Sequence, residues 1–241
     1  MKRLHNYSQH FIRSPKLIHE LIGHSNIKKT DTVYDIGAGS GVISSVLAKR
    51  AKQVVAIEFE PQTAQKLRQN MQKFDNVTVI EADFLVTKLP TESYKIFANI
   101  PFHISSPVIR KLTETENIPE SIYLIVQKQF ARKIVFSDKH FTGQLGVMIG
   151  PIFTARIRKP LRKTDFWPHP NVDTVLLELI KRKEPLIEIK DMSKYRSFVE
   201  DCFSTPKKFK QSGYEKLGLP SSIKPSELSL ENWVELFQQN D

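Results

Sequence analysis

Cysteine is nearly absent from this chain of 241 residues: Cys202 stands alone. One thiol excludes an internal disulfide framework and any thiolate-rich metal site, and a reducing cytoplasm is the expected compartment. Long hydrophobic runs are missing too. The stretch Leu145 to Phe153 is among the longest, far short of the roughly 18 residues that span a bilayer. The start, Met1 to Ser14, is basic but has no apolar segment of the kind a secretory signal needs. The seven histidines show no ligand spacing; His19, His24 and His140 are isolated, so no metal is expected. Acids are in deficit: 36 Lys and Arg against 26 Asp and Glu leave a net charge of +10.

What is present is enough for a core. Apolar residues make up 40 % of the chain, which excludes a disordered polymer. The length fits one large domain with a small appendage. The basic excess is clustered. From Lys128 to Pro168 nine basic residues meet two acids, Asp138 and Asp165, and up to Thr30 six meet only Glu20. From Lys181 onward eleven basic residues face ten acids. Such clustering fits a phosphate backbone, and Arg132, Lys133, Arg156, Arg158 and Lys163 are the candidate contacts to such a polyanion.

Periodicity predicts strands at Thr32–Ile36, Val54–Glu58, Val77–Glu81, Lys95–Ala98 and Ile122–Val126, each a nearly continuous apolar run suited to burial on both faces. Helical patterns at Gly41–Lys52, Pro61–Phe74 and Ser105–Thr113 alternate with them, which implies a doubly wound, mostly parallel α/β sheet. Two later strands, Ala155–Leu161 and Val172–Lys181, flank the turn Trp167-Pro168-His169-Pro170 and suit an antiparallel hairpin at a sheet edge. Short helical stretches follow at Tyr195–Phe203, Gln211–Leu217 and Ser226–Gln239. The expected division is therefore 1–183 as the main domain and 184–241 as a small all-helical one.

Three segments carry candidate chemistry. Asp35-Ile36-Gly37-Ala38-Gly39-Ser40-Gly41 follows the first of these strands and opens a helix. It lacks the third glycine of a dinucleotide fingerprint, since Val42 stands there, and no Gly-Lys-Ser/Thr makes it a P-loop. Glu58 ends the next strand, where an acid can accept both hydroxyls of a ribose. Asp83 follows the third and can accept an adenine amino group. The glycines alone could be structural punctuation; with both acids at successive strand ends they point to an adenosine-containing cofactor. The second segment is Asn99-Ile100-Pro101-Phe102. An adenine amine is a poor nucleophile because its lone pair is delocalised into the ring. The Asn99 oxygen and the Ile100 carbonyl can accept its two hydrogens and localise that pair, while Pro101 stiffens the loop and Phe102 offers a stacking face. The third is Phe166-Trp167-Pro168-His169-Pro170-Asn171-Val172-Asp173, whose Phe166 could close over the other face of a flipped base, or simply pack beneath the loop.

Together these segments resemble the rRNA adenine N6-methyltransferase superfamily, which joins Erm-type macrolide-resistance enzymes and Ksg-type dimethyladenosine transferases. The likeness runs from Tyr7-Ser8-Gln9-His10-Phe11-Ile12 through Phe166–Asp173 to Leu228-Ser229-Leu230-Glu231-Asn232-Trp233. It implies a Rossmann-like class I methyltransferase with a seven-stranded sheet and a small helical domain. It implies S-adenosylmethionine as cofactor, held by His10, Ile12, Gly37, Gly39, Glu58, Asp83, Phe84 and Asn99. It also makes Asn99, Ile100, Pro101, Phe102 and Phe166 the catalytic set. His10 stands where the family usually has Asn, and Phe102 where it usually has Tyr. Thr30–Tyr34, Asn99–Pro101 and Ile122–Val126 look Erm-like, which implies methylation of an adenine in the peptidyl-transferase loop of 23S rRNA by a monomer. Ksg-type dimethylation of adjacent adenines in 16S rRNA is the alternative. A non-catalytic nucleic-acid-binding relative is the rival of another class, and the intact motifs argue against it.

Overall fold

The structure is a computed structural model and describes residues 10–240 apart from 13 and 138–140. The N-terminal part of the Tyr7–Ile12 motif lies outside the described residues, as does His140. Seven strands form one mixed sheet: β2 (Thr32–Ile36), β3 (Gln53–Glu58), β4 (Val77–Glu81), β5 (Lys95–Asn99), β6 (Ser121–Gln127), β7 (Phe153–Leu161) and β9 (Thr174–Lys181). Their order is β4-β3-β2-β5-β6-β9-β7, and the pairs β4/β3, β3/β2, β2/β5 and β5/β6 are parallel. Numbers two and five are neighbours while three and four lie on the other side, so the strand order reverses between β2 and β5. Ligands in open α/β sheets bind at that reversal, beyond the carboxyl ends of the strands.

The burial of each strand explains its sequence. In β6 every residue from Ser121 to Val126 is buried, whereas the outermost β4 is half exposed. Helices join β2 to β3, β3 to β4 and β5 to β6. Helix α3 (Pro61–Met71) starts on Pro61, whose missing N–H loses nothing in the first turn, and buries Ala64, Leu67 and Met71. Leu67 and Met71 pack with Ala38 and Ala56, with Phe74, Val77 and Val79 around them. Helix α4 (Ser105–Thr113) matches its pattern end to end, but α2 (Val42–Leu47) is shorter than the expected Gly41–Lys52. A further helix, α1 (Pro15–Gly23), begins at Ser14, whose hydroxyl accepts the Leu17 N–H at 3.2 Å.

The chain divides into two compact units: residues 1–128 with 157–179, and residues 129–156 with 180–241. The second unit thus takes in 129–156 besides the C-terminal segment that the composition sets apart near 183. It holds α6 (Gln144–Ile149), α7 (Met192–Ser204), α8 (Pro206–Gln211) and α9 (Leu230–Gln238). Its centre is aromatic: Trp233 stacks on Phe203 with ring centres 5.7 Å apart, and Phe209 stacks on Tyr214 at 4.4 Å. Trp233 and Phe237, four apart on α9, are both buried, and buried Cys202 behaves as a small core residue, its thiol pushed up to about 11 by burial. No helix among the described residues is long and apolar enough to cross a membrane, and no cluster of three metal-ligating side chains occurs among them.

Candidate active site

The ends of β2, β3, β4 and β5 converge on a cavity of 340 Å³ in the first unit. That volume lies in the range of about 300–1,000 Å³ typical of small-molecule sites. The loop after β2 is fastened to β3 by the Gly37 and Ala38 N–H groups, which donate to the Ile57 carbonyl at 2.8 and 3.0 Å. Gly39 has φ +57°, and a Cβ there would lie 3.4 Å from the Phe11 ring. Gly41 has φ +92°, and its Cβ would come within 2.7 Å of both Leu67 Cδ1 and Met71 Cε. Both glycines are therefore required by a left-handed backbone, and at Gly41 a Cβ would also press on two side-chain ends.

Glu58 is 5 % exposed at the end of β3. Its Oε2 accepts the Gly39 N–H at 2.8 Å and its Oε1 the Glu60 N–H at 3.0 Å. A carboxylate has about four lone-pair sites, so the group is fixed in place and still has two to offer. Asp83 is similar. One oxygen accepts the Leu85 N–H at 2.8 Å, which leaves the other carboxylate oxygen as an acceptor. Behind them Asp35 is fully buried; Ser44 Oγ donates to its Oδ2 at 2.6 Å, and Oδ1 has no partner. Burial, aided by the nearby Glu58 charge, pushes the Asp35 carboxyl up to about 7.

Asn99 closes β5. Its Nδ2 donates to the backbone carbonyl of His10 at 2.7 Å. With the amide nitrogen committed, the plane of the side chain is set and Oδ1 is the acceptor left over. The His10 imidazole in turn bonds the Pro168 carbonyl through Nδ1 at 2.8 Å and lies against Phe102, ring centres 5.4 Å apart. Phe102 opens a short 3-10 turn, Phe102–Ile104, held in the loop after Pro101.

The cavity lining includes His10, Ile12, Gly37, Gly39, Glu58, Asp83, Phe84, Asn99, Ile100, Pro101 and Phe102. It does not include Phe166, which is 1 % exposed. Phe166 belongs to a separate two-stranded ladder, β8 (Phe166–Trp167) antiparallel to β1 (Phe11–Ile12), and faces the core there opposite Ile12. Sequence reading passed over Phe11 and Phe59, both exposed aromatics on the lining. Phe59 directly follows the acid that ends β3, and that adjacency was the available signal. Of the basic candidates, Arg158 pairs with Glu178 at 3.5 Å and donates to the His24 carbonyl, and Lys163 donates to the Asn171 carbonyl. Arg132 and Lys133 stand exposed on α5 (Lys128–Ile134), and Arg156 is exposed on β7.

A Gly-rich turn, two strand-end acids and an Asn-X-Pro-aromatic loop around one cavity define an S-adenosylmethionine-dependent methyltransferase. The ribosomal RNA adenine dimethylase family matches residues 2–217, and the chain belongs to that family. An rRNA adenine N-6-methyltransferase of Saccharopolyspora erythraea is 28 % identical over 248 residues; the alignment covers 98 % of this chain and 65 % of that protein, so this chain spans just under two thirds of its length. A ribosomal RNA small subunit methyltransferase A of Bacillus licheniformis is 31 % identical over 212 residues, covering 83 % of this chain and 72 % of the relative. The crystal structure of the 23S rRNA methyltransferase ErmE superposes with a TM-score of 0.81 at 28 % identity, covering 95 % and 98 % of the two chains. The family's methyl donor is S-adenosylmethionine. The residues fit it: Gly37 and Gly39 turn the loop at positive φ along the cavity wall, and Glu58 and Asp83 each keep acceptor capacity there.

Proposed function

We propose that this chain methylates the exocyclic N6 of one adenine in the peptidyl-transferase loop of 23S rRNA. The product is mono- or dimethyladenine, and its consequence is resistance to macrolide, lincosamide and streptogramin B antibiotics. The observation that carries the chemistry is the Asn99 amide, oriented by the His10 carbonyl at the wall of the cofactor cavity. The likeness to ErmE across nearly both chains supports the 23S target. The 31 % identity to a small-subunit methyltransferase A supports the second reading, dimethylation of adjacent adenines in 16S rRNA. The lone cysteine and an RNA substrate suit a cytoplasmic enzyme.

Bound S-adenosylmethionine supplies an electrophilic methyl group. Glu58 would hold its ribose hydroxyls on the remaining lone pairs, and the second oxygen of Asp83 would hold its adenine amine. Asn99 Oδ1 and the Ile100 carbonyl accept the two hydrogens of the target amine, which strengthens as the nitrogen pyramidalises. Phe102 stacks on the base. No side-chain base is obligatory, because the methylated nitrogen is cationic and loses its proton readily. Phosphate contacts centre on exposed Arg132, Lys133 and Arg156; Arg158 and Lys163 already hold internal partners.

Labelled methyl transfer to protein-free 23S rRNA and to partly assembled small subunits, with the product mapped, tests the reading. A single modified adenine in 23S rRNA supports it. Two adjacent adenines modified only in small-subunit particles would move the assignment to 16S rRNA, and no product on either would overturn it.

A further inference from the structure

The two-residue ladder of β1 and β8 has two unlike faces. Ile12 and Phe166 are partners on one and are buried at 4 % and 1 %. Phe11 and Trp167 are partners on the other and are exposed at 44 % and 53 %. Directly opposed residues in an antiparallel pair hold their Cβ atoms about 5 Å apart, so the two side chains leave the ladder on the same face. A single exposed aromatic is ordinary. A cross-strand pair of large rings, turned outward while the same two strands bury an isoleucine and a phenylalanine, is not.

Position narrows the occupant. Phe11 also lines the cofactor cavity, where its ring meets the glycine loop at Gly39. The outward face of the ladder is thus continuous with the wall of the site. The His10 carbonyl that orients Asn99 belongs to the residue just before Phe11. Trp167 is held by its surroundings: the His169 ring stands edge-on to it at 5.6 Å, and His169 Nδ1 is bonded to the Lys163 carbonyl at 3.0 Å. A flat ring on a fixed stem, beside a site for one extruded adenine on a chain of charge +10, matches a nucleobase of a polyanion. We infer that Trp167, with Phe11, is a stacking platform for the nucleotide next to the target adenine. This rests on the proposed RNA adenine methylation. An adenine drawn out of a strand leaves its neighbour without a stacking partner, and the indole replaces it.

The test compares Trp167→Ala, Trp167→Leu and Trp167→Phe on a single-stranded RNA that the wild type methylates, with and without an abasic residue on either side of the target. Loss of the indole should raise KM for RNA on the order of tenfold, as for loss of one base stack, and leave S-adenosylmethionine affinity unchanged. Trp167→Leu should behave like Trp167→Ala, and Trp167→Phe should recover most of the loss. An abasic residue at the stacked neighbour should abolish the difference between Trp167 and Ala. The indole fluorescence should be quenched by RNA, because the other tryptophan, Trp233, is fully buried. A wild-type KM in Trp167→Ala, or equal rescue by Leu and Phe, would overturn the platform while leaving the methylation standing. So would a concentration-dependent dimer that Trp167→Ala dissolves, since the occupant would then be a second copy. A wild type that neither methylates nor binds RNA would remove both readings at once.

Discussion

The two ends of strand β5 are four residues apart and do opposite things. At its start, Lys95 is 5 % exposed, and its ammonium donates to the Asp31 carboxylate at 2.7 Å and the Asn26 carbonyl at 2.9 Å, with Glu120 at 3.8 Å. Asn26 is itself tied in: its N–H donates to Tyr123 Oη, and its side-chain oxygen accepts from Ser121 Oγ. At its end, Asn99 uses one half of its amide on the His10 carbonyl and keeps the other half. A saturated polar cluster stabilises a sheet edge. A fixed but half-used one can bind something else. The amino edge of this sheet is built in the first way, and the carboxyl edge, with Glu58, Asp83 and Asn99, in the second.

The largest effect should come from the saturated end. Lys95→Met leaves the Asp31 carboxylate at the sheet edge without its cation, and should lower unfolding free energy by roughly 3–5 kcal/mol. Denaturant titration measures it, and residual activity below the new transition should persist. Asp35 lies between the two edges and should set a pH dependence. Its folded pKa, raised to about 7, lies above the unfolded value, so its contribution is complete below pH ~4 and is lost as pH rises through 7. The loss by pH 8 is on the order of 4 kcal/mol, at about 1.4 kcal/mol per pKa unit. Asp35→Asn should flatten that slope; an unchanged slope between pH 4 and 8 would show that another group sets it. Asn99→Ala should cut turnover by an equivalent of about 3 kcal/mol, more than it weakens cofactor affinity, with the melting temperature nearly unchanged. Comparable damage to stability would erase the contrast between the two ends. The smallest effect is expected at Phe102. Phe102→Tyr should be tolerated, and Phe102→Ala should weaken RNA use by about 1–3 kcal/mol.

Elements with a single physical signature were readable from the chain. β2 and β4 run over the predicted residues because stretches rich in β-branched residues end abruptly at glycine or acid. Asn99 extends β5 by one residue past its apolar run, since its backbone still pairs with β6 opposite Ile125. Helices α5 and α6 left a weak signal. Gly146 interrupts α6 because a Cβ there would lie 2.6 Å from the Lys133 carbonyl oxygen, so tight packing displaced a better helix former. The β1/β8 ladder left none: two residues have no period, and the partners are more than 150 positions apart. The same pleat decides which of two adjacent aromatics faces water. Phe166 turned inward and Trp167 outward, a choice that one residue of register would reverse.

The bond from Asn99 reaches the main chain of residue 10 and not its side chain. Every amino acid carries that carbonyl, so point substitution at position 10 can alter the ring that touches Pro168 and Phe102 without deleting the acceptor that aims the amide. The orientation of the reactive group is thereby insulated from sequence drift at its own support. Removing or displacing the segment as a whole is what would unset it, and an affinity tag or truncation reaching residue 10 would disarm the enzyme while leaving its sheet folded.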